Sequence, residues 1–537
     1  MSSKAYLNQV IASHMVEIKA DQKPDKEIYI FEKGGHGEDI LTYKDLYENS
    51  NKIARLLLEC GIEKGDTYGV FMRNHPEYVY SLLAGPTIGA IMVPLDPRSR
   101  GDRLKFLLNN SGVKAIFVSD ECLEQLEEVI GDAPNVKLVS VAYRPEHNIP
   151  VSEKYPSLNE TIEKDSWEHV EQQIMDVRHP MQIIYTSGTT GDPKGVKIRN
   201  NRTGLYTILT QLVWKYKPSD VLYNGLSLTH GNAQAVTLFP ALYMGIKAVF
   251  SPRFTKSRIW DICRKYGCTT FSLLGGMASG IYNEPERPDD ADNPVRVVIS
   301  AGTPAPIWET FEKRFDVKIL EWYGAVEGGF AYRPVGKGPI GSFGKPIPGI
   351  MEFKVVDEND SKVSPGKSGE LVCRMIKGDT KVDYLGLPDA SRDKTMGGWL
   401  RTGDIVHKDD EGWYFFDYRK GTELRRAGDF IQPEHVEKVI GEHPDVSEIC
   451  VYGIPAASGA PGESDLVAAV SPFEGKSIDP AAIYEKCKKD LESNFVPSFL
   501  QVVEDMPKTV SEKALDRKLK EQFEKGEGTI YRYEDYR

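Results

Sequence analysis

Apolar positions in the first part of the chain switch between two periods. Leu46, Ile53, Leu57 and Leu58 recur at helical spacing, and Thr42 followed by Asp45 opens the run like a capping box. Gly61 is placed to cap that helix at its end. Residues 67–72 then read as a strand, 77–83 as a helix, 90–95 as a strand, 103–110 as a helix and 115–119 as a strand. Such alternation predicts right-handed βαβ units around a parallel sheet. Residues 145–175 are polar and aperiodic, which suits a surface crossing. Alternation resumes at 181–185 (strand), 257–266 (helix), 269–274 (strand), 295–300 (strand), 307–314 (helix) and 318–322 (strand), with a Pro-rich break at 284–293.

From Gly336 the texture changes. Glycine and proline become dense, and short strands at 352–356, 369–373, 404–407 and 413–416 predict a mostly antiparallel subdomain. After Arg419-Lys420-Gly421 the chain turns rich in Lys and Glu, with helix–strand alternation at 434–440, 449–453, 466–470 and 480–492. The expected fold is therefore α/β. It has a large N-terminal domain of βαβ layers with a β-rich subdomain, residues 1–420, and a small α+β C-terminal domain, residues 421–537.

A length of 537 residues also exceeds one ordinary core. The net charge of −12 argues against a nucleic-acid backbone as partner. Seven scattered cysteines form no CxxC pair, so they support neither a zinc site nor a disulfide framework; a reducing, cytoplasmic compartment fits. The N-terminus lacks a secretory apolar region, and no lipidation signal ends the chain. The most apolar stretch, 78–95, contains Gly85, Pro86, Gly89 and Pro94, and reads as a buried helix, a turn and a strand rather than a membrane span. Oligomeric state is not encoded in any pattern.

Chemistry concentrates in Thr186-Ser187-Gly188-Thr189-Thr190-Gly191-Asp192-Pro193-Lys194-Gly195, directly after the strand at 181–185. Glycines let successive N–H groups point at one spot, which makes an anion nest. Ser187, Thr189 and Thr190 add compact donors, and Lys194 adds a mobile charge. This suits a polyphosphate. A ligand-free Gly/Ser/Thr loop between two strands is the competing reading. The common triphosphatase loop does not apply, because Lys194 is followed by Gly195 and Val196 rather than Ser or Thr.

The run resembles the phosphate loop of the adenylate-forming superfamily: acyl-CoA synthetases, peptide-synthetase adenylation domains and luciferases. Further matches follow in that family's order, from about residue 30 to 520. Trp322-Tyr323-Gly324-Ala325-Val326-Glu327 resembles the segment whose aromatic stacks on adenine and whose Glu holds magnesium, although the family Thr is Val326. By the same resemblance Gly302 and Thr303 lie along the adenine, His230 gates the carboxylate site, and Asp404 and Arg419 reach the ribose. Lys513, in Pro507-Lys508-Thr509-Val510-Ser511-Glu512-Lys513, matches the adenylation lysine, with Glu512 where the family has Gly. A turn with a surface Glu, a packed His, a hairpin Asp, a solvated Arg and a solvated Lys are the bland alternatives.

The resemblance implies an ATP-dependent acid–CoA ligase, close to the crotonobetaine/carnitine and medium-chain types. It forms an acyl-adenylate and then a thioester, releasing pyrophosphate and AMP. Implied ligands are ATP, CoA, a carboxylic acid, and Mg2+ on Thr186 and Glu327. Trp322 would shorten the acyl pocket. Arg426-Ala427-Gly428 replaces the usual Ser-Gly-Gly beside the pantetheine channel, and Arg426 would meet a CoA phosphate near Gly428. Gly421 stands at the usual Asp or Lys hinge. Two other readings stay open: an adenylating enzyme with another acceptor, and a catalytically weakened nucleotide binder.

Overall fold

The computed structural model describes residues 10–186, 193–378, 380–420, 424–426, 429–431, 433–456, 464–491, 495–509 and 514–536. The expected α/β architecture is present, with its strands dealt into two large sheets and two small ones.

The first large sheet has six strands. Their order is Leu138–Ala142, Ala115–Ser119, Thr67–Phe71, Ile91–Leu95, Pro180–Tyr185 and Gly195–Arg199. The first five run parallel, and the last returns antiparallel from the phosphate loop. The second large sheet has thirteen strands. Its parallel part runs from Lys318–Gly324 through Val297–Ala301, Thr270–Leu274, Val221–Asn224 and Lys247–Phe250 to Glu27–Glu32. The chain thus starts in the second sheet, builds the first, and crosses back only after Gly195–Arg199, through the helical residues that precede Val221–Asn224. Local periodicity reports strands but not which sheet receives them.

The Gly-rich texture after Gly336 does yield antiparallel strands, at Met351–Val356, Gly369–Met375, Leu400–Lys408 and Tyr414–Arg419. They are not a separate layer. Ser342–Pro346 pairs with Tyr414–Arg419 on one side and Phe330–Arg333 on the other, so hydrogen bonding continues into the parallel part. Gly344 makes that junction possible: at φ 105° its added Cβ would lie 1.9 Å from the Tyr332 carbonyl carbon.

The capping box forms at Thr42 and Asp45, and the helix Tyr43–Glu59 buries Leu46, Ile53 and Leu57 as its spacing predicts. The next helix departs from expectation. It spans Pro76–Ile88, passing through Gly85 and Pro86 instead of ending at 83. Every residue in it is buried, so packing outweighs the cost of an internal proline. Gly85 is there for close approach, since a Cβ would meet the Tyr68 hydroxyl at 2.5 Å. Gly89, at φ 77°, is the real stop.

Beyond residue 420, Val446–Pro455, Ser464–Pro472, Phe499–Val502 and Thr529–Arg532 form a four-stranded sheet. The helices Pro433–Gly441 and Pro480–Asp490 cover one face, and Leu519 packs on the other. These two buried clusters contain only residues beyond 420, whereas the two larger clusters contain only residues before it. No helix among the described residues is long and apolar enough to cross a membrane.

Candidate active site

Of the residues singled out from sequence, Asp404 and Arg419 come from antiparallel strands, whereas Thr186, His230, Gly302, Thr303, Tyr323 and Glu327 lie at or just beyond the carboxyl ends of parallel strands in the two large sheets. In open α/β sheets that edge is where ligands bind. Tyr323 lies near the end of Lys318–Gly324, and its hydroxyl donates to Asp404 Oδ2 at 2.5 Å. Arg419 Nη1 donates to the other oxygen, Oδ1, at 2.9 Å. Asp404 and Arg419 are register partners on neighbouring antiparallel strands, which is why the arginine reaches. Burial and the adjacent Asp404 carboxylate push the Tyr323 hydroxyl well above its usual range. Its ring lies 4.7 Å from that of Phe343.

Strand alternation turns Trp322 to the opposite face from Tyr323. Trp322 is buried, stacked on Phe330 at 5.6 Å and edge-on to Trp214 at 5.6 Å. The indole N–H groups of Trp214 and Trp322 find no acceptor among the described residues. Gly324 has to be glycine, because a Cβ would come within 2.7 Å of the Trp322 ring.

Glu327 Oε1 accepts from the Tyr384 hydroxyl at 3.0 Å. The Nζ of Lys194 sits over the same tyrosine ring, 5.5 Å from its centroid. Tyr384 therefore joins the glutamate after one sheet to the lysine of the other. It is held there because residues 383–385 run beside the strand leaving the phosphate loop: Leu385 N donates to Gly195 O, and Lys197 N to Asp383 O. Thr186 closes the base of the loop, its N–H donating to Lys194 O at 3.0 Å. Arg202 Nη2 donates to the carbonyls of Ala325 and Val326 and pins the turn before Glu327.

Lys394 ends the helix Pro388–Lys394, and its Nζ donates to Thr402 O at 3.3 Å. Burial holds its ammonium below the usual lysine range, against the pull of Glu327; Arg419 lowers it further and Asp404 opposes. Its charge thus sits among the same acidic groups. Sequence reasoning missed both Tyr384 and Lys394. Asp383-Tyr384-Leu385-Gly386-Leu387-Pro388 reads only as a turn, and nothing local connects it to Glu327.

Gly302 and Thr303 follow Val297–Ala301, and Gly302 takes φ 89°. Their amides both donate to the Glu321 carboxylate, and Thr303 Oγ1 donates to Ser300 Oγ at 2.7 Å. Glu321 was not legible as a site residue. Burial raises its carboxyl from 4.5 to about 8, so it is largely protonated at neutral pH.

His230 stands in the loop after Val221–Asn224, with Nδ1 accepting from Asn232 N at 3.2 Å. That bond leaves the ring proton on Nε2. The loop is fixed to the first sheet: Asn74 and Tyr78 bond the backbone at Leu226 and Leu228, and Gln182 and Gln234 exchange amide bonds at 3.0 Å. Gln182 lies on the strand that enters the phosphate loop, so the two expected half-sites share one scaffold.

Arg426 lies on the short hairpin Leu424–Arg426/Asp429–Ile431 and donates to Val496 O. Ser187, Gly188, Thr189, Thr190, Gly191, Gly421, Ala427, Gly428, Glu512 and Lys513 lie outside the described residues.

The class that this fold defines is an α/β enzyme with a large N-terminal part and a smaller C-terminal one. The chain belongs to the AMP-binding enzyme family: that family's model matches residues 16–378, and the AMP-binding enzyme C-terminal domain matches 435–513. It is 27% identical over 504 residues to a crotonobetaine/carnitine–CoA ligase of Salmonella paratyphi B, covering 92% of this chain and 96% of that protein. Two solved structures share the fold. An anthranilate CoA ligase in complex with anthranoyl-AMP aligns with a TM-score of 0.83 at 22% identity, over 98% of this chain and 99% of the other. A benzoate CoA ligase from Burkholderia xenovorans aligns with a TM-score of 0.82 at 20% identity, over 95% and 99%.

Proposed function

We propose that this chain joins a compact carboxylic acid to coenzyme A at the expense of ATP, in two steps at the cleft just described. The activity is that of an AMP-forming acid–thiol ligase, in keeping with family membership and full-length likeness to CoA ligases. One observation carries the assignment of roles. Glu327 and Lys194, from different sheets, meet on Tyr384, while Tyr323, Asp404 and Arg419 meet a few residues away.

In the first step a carboxylate oxygen of the acid attacks the α-phosphorus. The bond to the bridging oxygen breaks, pyrophosphate leaves with the electron pair, and acyl-AMP remains. Asp404 accepts from the ribose hydroxyls while Arg419 holds its other oxygen, and Tyr323 offers its ring face to adenine. Thr186, Ser187, Thr189, Thr190 and Lys194 hold the β- and γ-phosphates. Glu327 and the Thr186 hydroxyl are hard oxygen donors, the set a magnesium ion prefers. When bound there, Mg2+ supplies neutralisation of phosphate charge. Lys513 adds positive charge at the α-phosphate, where it builds in the transition state.

In the second step the CoA thiolate attacks the acyl carbon and AMP leaves. We place the domain boundary at 420/421, with Gly421 as hinge, so that residues 421–537 present Lys513 first and the Arg426–Gly428 loop second. His230 and the wall of Trp322, Trp214 and Phe330 bound the acyl pocket, which favours short, cyclic or aryl acids over long chains.

A panel of short, branched, cyclic, aryl and long-chain acids with ATP and CoA tests this, reading AMP and thioester. Equal amounts of both from a compact acid are expected. A preference for long chains overturns the pocket, and no acid-dependent AMP or pyrophosphate exchange across the panel overturns the activity.

A further inference from the structure

Away from the nucleotide cleft, we propose a zinc-type metal site formed by His75, Glu121 and His147. These residues follow three adjacent parallel strands of the six-stranded sheet: His75 after Thr67–Phe71, Glu121 after Ala115–Ser119 and His147 after Leu138–Ala142. Neighbouring strands lie about 4.8 Å apart, so the topology gathers residues that are distant in sequence. One ring nitrogen from each histidine and one Glu121 oxygen fall within 4.8 Å of one another. His75 Nε2 and Glu121 Oε1 are 3.1 Å apart, close to the roughly 3.3 Å edge of a tetrahedron with zinc-length bonds. Two imidazoles and one carboxylate are a borderline-soft set that suits Zn2+ better than Mg2+, and leave a fourth position for water.

The surroundings are built in the manner of a metal site. Metal-binding histidines hand their other nitrogen to a carboxylate, which orients the ring and fixes the tautomer. His147 Nδ1 bonds Asp120 Oδ1 at 2.6 Å, and the Asp120 side chain is fully buried. Asp120 is itself fixed by the amides of Glu121 and Arg144, each at 2.8 Å. With the proton on Nδ1, the Nε2 lone pair of His147 is left for a cation. Glu121 is oriented likewise: Arg73 Nε donates to its Oε2 at 2.8 Å and leaves Oε1 facing His75. His75 is 3% exposed while Glu121 and His147 are each 20% exposed, so the site is walled on one side and open on the other. A cation here would sit between His75 Nε2 and Glu121 Oε1 and tie together the starts of the helices Pro76–Ile88 and Asp120–Glu127 and the turn Pro145–His147 at the sheet edge.

The test uses the untagged full-length chain, stripped with chelator, loaded with Zn2+ and desalted. One zinc per chain by mass spectrometry is expected, with a higher unfolding temperature. Co2+ should give the intense visible absorption of four-coordinate geometry. His147→Ala and Glu121→Gln should each lose the metal while keeping the parent circular dichroism. Asp120→Asn, which spares all three ligands, should weaken zinc binding about 10–100-fold. Substoichiometric zinc in the parent, or parent-like affinity in Asp120→Asn and in the folded ligand variants, overturns the site.

Discussion

Lys394 is the side chain whose role is least visible from its neighbours in sequence and most visible from its neighbours in space. Its Nζ is anchored to Thr402 O, two residues from Asp404, and its charge is felt by Glu327, Arg419 and Asp404. In the proposed site, a lysine so placed would complement the extra negative charge of a nucleotide phosphate. Lys394→Met keeps the packed stem and removes the charge. We predict a roughly 10–100-fold loss of kcat/KM for ATP in pyrophosphate exchange, the worth of about one charge-assisted hydrogen bond. Unchanged exchange with a lowered unfolding temperature would reduce the lysine to a structural strut. The contrast with Tyr323, Asp404 and Arg419 explains what could be read beforehand. Those three sit in segments that match the family's motifs in order, so the resemblance could assign them roles. Tyr384 and Lys394 acquire theirs only when residues 383–394 are laid beside the phosphate-loop strand and Glu327.

At the scale of elements, the strand Lys318–Gly324 does two jobs with one register. Tyr323 faces the Asp404 side, Trp322 faces Trp214, and Glu321 reaches across to the turn after Val297–Ala301. Those pairings depend on β alternation, which sequence shows, and on strand neighbours, which it does not. The buried Glu321 carboxyl has a measurable consequence. Its folded value is about 8, above the ordinary 4.5, so the folded chain binds the proton more tightly than the unfolded chain. Stability linked to this group is fully present below about pH 4.5 and is lost as pH rises toward about 8. Glu321→Gln carries no such proton. We predict that urea midpoints of wild type fall relative to Glu321→Gln across that window. Parallel midpoint-against-pH curves would mean that the turn is held without a protonated Glu321. The helix Pro76–Ile88 teaches the converse. Its Gly85 and Pro86 look like breakers because local propensity is all that sequence offers, yet the Tyr68 hydroxyl and burial on every side decide the outcome.

For the whole molecule, the proposed mechanism requires residues beyond 420 to act on a site built before 420. Arg98 Nη1 donates to Thr509 O at 3.0 Å, which joins the loop after Ile91–Leu95 to the segment that leads toward Lys513. The buried clusters on either side of residue 420 share no members, so each part has its own core and a rotation between them exposes neither. The shift to a Lys- and Glu-rich composition after Gly421 made the two-part plan legible from sequence, whereas the continuity of the thirteen-stranded sheet across the β-rich region was not. If residues 421–537 bring Lys513 to the α-phosphate for adenylation alone, the two half-reactions must separate on its removal. We predict that Lys513→Ala lowers acid-dependent pyrophosphate exchange at least 100-fold, in the range of a lost transition-state contact. Thioester formation from supplied acyl-adenylate should stay within about threefold of wild type, because thiol attack makes no use of that charge. Equal loss of both steps would place the lysine in a structural or shared role, and the rotation would no longer be required to explain how one cleft serves two reactions.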